Sequence, residues 1–257
     1  MGEILAALDT ERREFGDVDG AGPEVAVLDE QPALAVGLPE RVVRFAALAR
    51  PAEAARAQAD GYTLLLGNTS SLGIQISLFS KLPYDPRTDF EPISVVAVSP
   101  SVLVVHPSVP ASNMGELVAY LKANPGKVNY ASPGNGTPFH LSGELFKAQT
   151  GTSMVHVPYK GAAPAVADLL AGQVQLLFDN IPNVLPHIRA GKLRPLGVGS
   201  ERRNPLLPNT PPIADVLPGF AAINWHVMVA PPGTPVSITG QISAAIAELL
   251  KLPEVMK

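Results

Sequence analysis

The chain has 257 residues, 46% hydrophobic and 16% charged: enough for one large domain or two small ones, and too apolar for a highly charged disordered chain. The formal net charge of −4 with no basic cluster lacks the positive footprint that nucleic acid requires, so no nucleic-acid partner is expected. Cysteine is absent, which excludes disulfides, thiolate catalysis, iron–sulfur clusters and cysteine zinc sites. No apolar run approaches the roughly 18 residues of a membrane-spanning helix.

Charge is uneven along the chain. Residues 1–60 hold 12 acidic and 6 basic side chains, whereas 61–257 hold 11 and 13, and the first lysine is Lys81. Met1–Asp19 is acidic and lacks a basic region followed by an apolar core, so it does not read as a signal peptide. Met1–Arg13 reads as a short helix and Glu24–Leu28 as a short strand, with Pro23, Pro32 and Pro39 interrupting. Residues 1–50 carry too little periodic apolar surface to offset about 1–2 kcal/mol of backbone entropy per ordered residue, and poor packing is expected there. Arg41–Ala59 looks helical, with Val42, Phe45, Leu48 and Ala49 at helical spacing and Pro51 kinking or restarting it.

From Asp60-Gly61 the pattern sharpens. Tyr62–Leu66 is an apolar strand ended by Gly67-Asn68-Thr69-Ser70. Ile93–Val98 and Val102–Val105 read as two strands separated by Ser99-Pro100. A regular alternation follows. Ser112 or Asn113 caps a helix to Asn124, and Lys127–Ala131 is a strand. Thr137 caps a helix that begins with Pro138, the favoured first position, and ends before Gly151. Strand Met154–Val157, helix Pro164–Ala171, strand Val174–Phe178, helix Pro182–Ala190 and strand Leu193–Gly199 complete it. Four helix–strand repeats with short connections predict a parallel sheet with right-handed crossovers. Residues 205–235 hold eight prolines in an extended connection containing the strand Ile223–Ala230, before a helix over Pro235–Leu250.

Familiar catalytic signatures are absent: no nucleophile elbow, phosphate-binding P-loop, zinc-protease helix or calcium loop. His106, His140, His156, His187 and His226 never fall at helical pair spacing, and neither a metal site nor a cofactor is predicted. The most informative segment is Ser132-Pro133-Gly134-Asn135-Gly136-Thr137, which follows a strand and opens a helix. Two glycines let backbone N–H groups approach a ligand, and a helix N-terminus favours an anion; the same residues also suit a plain strand–helix turn. Asp179 ends a strand, where ligands of open α/β sheets lie, and can accept a hydrogen bond from a ligand or water. It or Asn180 is equally placed to cap the next helix. Asn68 and Thr69 offer short polar groups at another strand end, though most such loops are only turns. Lys160, after a further strand, reads as solvated.

In this order, a series of short motifs resembles the Bug (tripartite tricarboxylate receptor) family of bacterial extracytoplasmic solute-binding proteins. They are Asp60-Gly61-Tyr62-Thr63-Leu64-Leu65-Leu66-Gly67, then Leu82-Pro83-Tyr84-Asp85-Pro86, and Ser132–Thr137 with His140-Leu141. Val157-Pro158-Tyr159-Lys160-Gly161, Phe178-Asp179, Gly191-Lys192-Leu193-Arg194 and Ala230-Pro231-Pro232-Gly233-Thr234-Pro235 follow. The resemblance covers about residues 51–257, and residues 1–50 depart from it. It implies an α/β, two-lobed periplasmic-binding-protein-like (type II) fold, each lobe a mostly parallel sheet flanked by helices, joined by crossing strands. One lobe would be 1–100 plus 225–257, the other 101–224.

The resemblance further implies a monomer that closes on a small carboxylate, held by backbone amides and ordered water, and hands it to membrane transporter subunits. The ligand-facing residues would be Asn68, Thr69, Ser132, Gly134, Asn135, Gly136, Thr137 and Asp179, in a periplasmic setting. Mono-, di- and tricarboxylates, amino acids and aromatic acids all fit such a clamp. Two other readings stand beside it: an enzyme acting on a carboxylate through Asp179 and a histidine, and a non-binding remnant. The absence of catalytic motifs favours binding over catalysis.

Overall fold

In the computed structural model, which describes residues 44–46, 51–253 and 255, the chain divides into two compact units. One is Ser99–Asn224; the other contains residues 51–98 and 225–253. The chain passes between them within strand β3, Glu91–Val105, and again within β8, Ile223–Ala230. The predicted helix Met1–Arg13 and strand Glu24–Leu28 lie outside the described residues.

In the 99–224 unit the helix–strand repeat is realised. Helix α3, Met114–Ala123, starts at Asn113, whose Oδ1 accepts the Glu116 amide at 2.9 Å. Strand β4 is Asn129–Ser132 and helix α4 is Pro138–Thr150, capped by Thr137 and closed by Gly151 in the left-handed conformation (φ 62°). Strand β5, Val155–Pro158, helix α5, Ala162–Leu170, strand β6, Leu176–Asn180, helix α6, Ile181–Arg189, and strand β7, Arg194–Val198, follow. The sheet order is β7-β3-β6-β4-β5. β4 pairs in parallel with β5 and β6, while β3 runs antiparallel to both β6 and β7. Four of the five strands therefore share one direction, with β3 reversed among them.

Alternation along the strands sends side chains to two apolar layers. Leu103 and Val105 of β3, Tyr130 of β4 and Leu176 and Phe178 of β6 pack with Leu117 and Leu121 of α3 and Phe139 and Phe146 of α4. Val102, Val104, Ala131 and Leu177 pack on the other side with Ala165 and Leu169 of α5 and Ile181 and Val184 of α6. Burying each large apolar side chain this fully contributes about 1.5–3 kcal/mol, which makes the sheet a stiff base for the loops at its strand ends.

In the other unit, β1 (Arg44–Ala46) pairs in parallel with β2 (Thr63–Asn68), and β2 pairs antiparallel with β8. Helix α1 is Pro51–Ala54 and α2 is Gln75–Leu78, preceded by a π-helical turn over Thr69–Ile74. Helix α7 spans Val236–Leu249. Leu65, Tyr84, Phe90 and Val229 form its apolar cluster with Ala54.

Three expectations are corrected. The segment 41–59 is not one helix: Arg44–Ala46 is a strand and, among the described residues of the segment, helix is confined to Pro51–Ala54, because so short an apolar run does not reveal its period. Ser99-Pro100 does not split β3, whose ladders to β6 and β7 begin at Ser101 and Val102, so the missing proline N–H costs them no bond. Strand β6 lies two residues later than Val174–Phe178, so that Asp179 is its last residue but one and Asn180 its last.

Candidate functional site

The loop between β4 and α4 is drawn tight around one carbonyl. Gly134 O accepts from the Thr137 hydroxyl (2.8 Å), the Ser132 hydroxyl (3.1 Å) and the Thr137 amide (3.4 Å). The turn needs φ of 147° at Gly134 and 69° at Gly136, both in the region that side chains avoid. Its outer strand is pinned as well: the Tyr159 amide donates to Ser132 O and the Gly161 amide to Pro133 O. Tyr159 is held in turn by its hydroxyl donating to Asp168 at 2.7 Å; burial first, then Asp168, pushes that phenol up to about 12. Lys160 is exposed, as a solvated lysine should be.

The amides of Gly134 and Gly136, expected to face a ligand, point inward. Gly134 N–H donates to Ser132 Oγ and Gly136 N–H to Nδ1 of His140, each at 3.2 Å. Pro138 has no N–H, and the His140 amide donates to the capping Thr137 Oγ1 at 3.3 Å. The Phe139 amide is thereby left as an orphan of the first helical turn. The N–H of exposed Asn135 has no acceptor among the described residues. These two amides are the loop's N–H groups without an acceptor among the described residues.

Beneath the loop lie groups that spacing alone did not single out. His140, 2% exposed, stacks on His156 with ring centroids 4.0 Å apart and planes 12° from parallel. His156 stacks on Tyr130 and shares a 2.7 Å hydrogen bond between its Nε2 and Ser132 Oγ. The signal was present as a histidine four residues after Gly136, but its partner, 16 positions further on, comes close only because β4 and β5 pair with Tyr130 opposite His156. Among the described residues no group of three or more histidine, aspartate or glutamate side chains could hold a metal ion.

Asp179 sits at the carboxyl end of β6, the parallel neighbour of β4. It is fully buried. Its Oδ1 accepts the Asn180 amide (2.7 Å) and the Asn183 side-chain N–H (2.9 Å), whereas its Oδ2 has no partner among the described residues. Burial pushes the carboxyl above its usual range, opposed in part by the Asn183 and Asn180 donors. Asn180 occupies the cap position of α6 without a side-chain cap bond, and its Oδ1 is likewise unpartnered. Ser101, directly opposite Asn180 in the β3–β6 register, has an unpartnered Oγ. Three buried polar atoms on residues of this strand end and its β3 neighbour thus have no partner among the described residues, two of them on residues not anticipated as ligand-facing.

In the other unit the Asn68 and Thr69 side chains are occupied. Asn68 Oδ1 accepts the Ser71 amide at 3.0 Å while Ser71 Oγ accepts the Asn68 amide at 3.1 Å, a reciprocal cap on the π-helical turn. Thr69 Oγ1 accepts the Trp225 amide at 2.9 Å, tying the turn to β8. His226, opposite Asn68 in the β2–β8 ladder, is pushed below the usual imidazole range by burial.

Residues 48–257 match the model of the family described as "Tripartite tricarboxylate transporter family receptor". The chain is 40% identical to the protein BugT of Bordetella pertussis over 205 residues, which is 79% of this chain and 63% of that protein. A solved structure described as R. palustris Rpa4515 with adipate is similar with a TM-score of 0.74 and 36% identity, covering 79% of this chain and 69% of that one. MatC (Rpa3494) from Rhodopseudomonas palustris with bound malate gives a TM-score of 0.72 and 31% identity, covering 79% and 70%. The chain spans about three fifths of the length of the curated relatives it matches.

Proposed function

Because the chain belongs to the receptor family of tripartite tricarboxylate transporters, we propose that it binds a small carboxylate and presents it to transporter subunits in a membrane. The family is one of solute-binding receptors, and its solved members include periplasmic binding proteins. A periplasmic location, a monomeric state and a binding rather than catalytic role are proposed for this chain on that basis. The observation that carries the reading is Asp179: a buried carboxyl with Oδ2 unpartnered, at the strand end next to the loop that opens α4. An oxygen so placed accepts a hydrogen bond from a ligand hydroxyl or an intervening water, and when protonated donates one to a carboxylate.

The proposed contacts in the 99–224 unit are the Asn135 and Phe139 amides together with Asp179, the geometry of the loop being held by Ser132, Gly134, Gly136 and Thr137. Micromolar affinity requires about −8 kcal/mol, and hydrogen bonds to a charged group contribute about 1.5–3 kcal/mol each. Four or five such bonds therefore suffice after ordering costs.

Titration calorimetry with a panel of mono-, di- and tricarboxylates that includes adipate and malate, followed by chromatography of the mixture, tests the reading. Saturable binding of at least one acid, recovered unchanged, is expected. Conversion of the acid into product would favour an enzyme, and absence of heat across the panel would favour a non-binding member of the family.

A further inference from the structure

Among the described residues, four buried side-chain polar atoms have no hydrogen-bond partner, and they belong to Ser101, Asp179, Asn180 and Asn224 of the 99–224 unit. Register and main-chain bonds link their residues. Ser101 is directly opposite Asn180, Asp179 precedes Asn180, and the Ser101 amide donates at 2.9 Å to O of Ala222, two residues before Asn224. A buried polar atom without a partner forfeits the bonds that water would give it, so such a concentration marks a place where a polar group arrives. Ser101 and Asn180 are the pair that face each other. Both main-chain groups of Ser101 are engaged on the side away from β6, its N–H with Ala222 O and its carbonyl with the Gly199 amide at 2.7 Å. The pair therefore has no main-chain bond between its members, the arrangement in which opposed side chains stand closest. By alternation with Leu103 and with Phe178, both side chains face the layer that holds α3 and α4. Gly199 leaves them room: a Cβ there would come within 2.7 Å of Ser101 Oγ.

We propose that Ser101 and Asn180 form a specificity subsite that reads an alcohol group on the bound acid, so that a hydroxy acid is held more tightly than the same acid without its hydroxyl. Ser101 Oγ–H donates to the ligand's hydroxyl oxygen, and that hydroxyl donates in turn to Asn180 Oδ1. The match is to a group that both accepts and donates. A keto oxygen gives Asn180 Oδ1 no donor. An ammonium gives the Ser101 proton no acceptor, and a carboxylate is repelled by Asn180 Oδ1. Ser101 is 2% exposed whereas Asn180 is partly exposed, so the group enters past Asn180 with a turn of its amide. The place suits an acid held at the loop that opens α4. Strand β6 is the parallel neighbour of β4, and the register of Ala131 on Leu177 carries Asn180 past the last residue of β4, to the level of that loop. Neighbouring strands stand about 4.8 Å apart, which sets Asn180 one spacing and Ser101 two spacings from β4, about 5–10 Å. A four- to six-carbon acid covers that span.

The subsite rests on the carboxylate-binding reading above, and the test separates the two. Calorimetry on the full chain compares acids that differ only by an alcohol: malate with succinate, and 2-hydroxyadipate with adipate. In the wild type the hydroxy acid of at least one pair should bind about tenfold or more tighter than its counterpart, because the counterpart leaves both buried atoms unmatched. In Ser101→Ala and in Asn180→Ala that ratio should fall to about twofold or less. Urea midpoints without ligand form the second arm. Ser101→Ala should be at least as stable as the wild type, since it removes a buried hydroxyl that has no partner. Equal or weaker binding of the hydroxy acid in both pairs, an unchanged ratio in Ser101→Ala, or a lowered midpoint in that variant overturns the subsite and leaves the carboxylate reading standing. Absence of binding by every acid of the wider panel overturns the functional reading and the subsite with it. If Asn180→Ala does not fold, the wild type against Ser101→Ala decides.

Discussion

A Cβ added at Gly143 would lie 2.3 Å from Cε2 of Tyr130, so α4 rests on β4 with no side chain between helix backbone and ring. Tyr130 cannot yield easily: it is fully buried, stacked on His156 and bonded through its hydroxyl to Glu144. Gly143→Ala should therefore force α4 outward and destabilise the 99–224 unit by about 1–3 kcal/mol, the usual cost of overpacking. A shift of the urea midpoint measures it. An unchanged midpoint would mean that the ring moves freely, and that the seating of the loop does not depend on this contact.

Gly136 adopts φ of 69° in a buried turn. A β-branched side chain is strained there by about 1–3 kcal/mol. Gly136→Val is expected to abolish carboxylate binding in calorimetry while circular dichroism still reports a folded chain. Unaltered affinity for a confirmed ligand would reduce the loop to a simple turn.

Asp179 gives a pH dependence of definite sign. Burial raises its folded-state pKa. A carboxyl raised in this way contributes stability below its unfolded value of about 3.9, and the contribution is lost as pH rises through the folded value. At pH 7 the buried charge is a liability. Asp179→Asn keeps an acceptor for Asn183 and Asn180 and removes that charge. It should be more stable than the wild type at pH 7 by about 1–3 kcal/mol, with the advantage shrinking towards pH 4. Denaturant curves at the two pH values measure this; a variant less stable at pH 7 would show that the ionised carboxylate is satisfied by groups other than Asn180 and Asn183.

Two helix caps of equal rank separate stability from binding. Thr137→Ala and Asn113→Ala each remove a side-chain acceptor for a helix amide, at about 1 kcal/mol. Thr137 also donates to Gly134 O, the carbonyl around which the loop is drawn. Both variants should lose similar stability, and only Thr137→Ala should lose carboxylate affinity. An equal effect of the two on affinity would remove any special role for Thr137.

The local signals in the sequence carried most of the 99–224 unit. Asn113 and Thr137 are caps, Pro138 opens α4 and Gly151 closes it, because capping is decided by residues within one turn of each other. What was hidden depends on partners distant in sequence. Whether Arg44–Ala46 is strand or helix is settled by its ladder to Thr63–Leu65, and the continuity of β3 through Pro100 by which neighbours demand hydrogen bonds. The site shows the same division. The glycine loop and Asp179 stand out by local chemistry. The stacking of His140 on His156 and the placing of Ser101 opposite Asn180 follow from strand order and register.

The central claim is that a carboxylate is held at the 132–137 loop and Asp179. Nitrogen-15 NMR during titration with a carboxylate that calorimetry shows to bind tests it most directly. The amides of Asn135 and Phe139 should shift first and furthest, with those around Asp179, and saturate at the calorimetric stoichiometry. Saturation with these resonances unmoved, and the changes confined elsewhere in the chain, would contradict it.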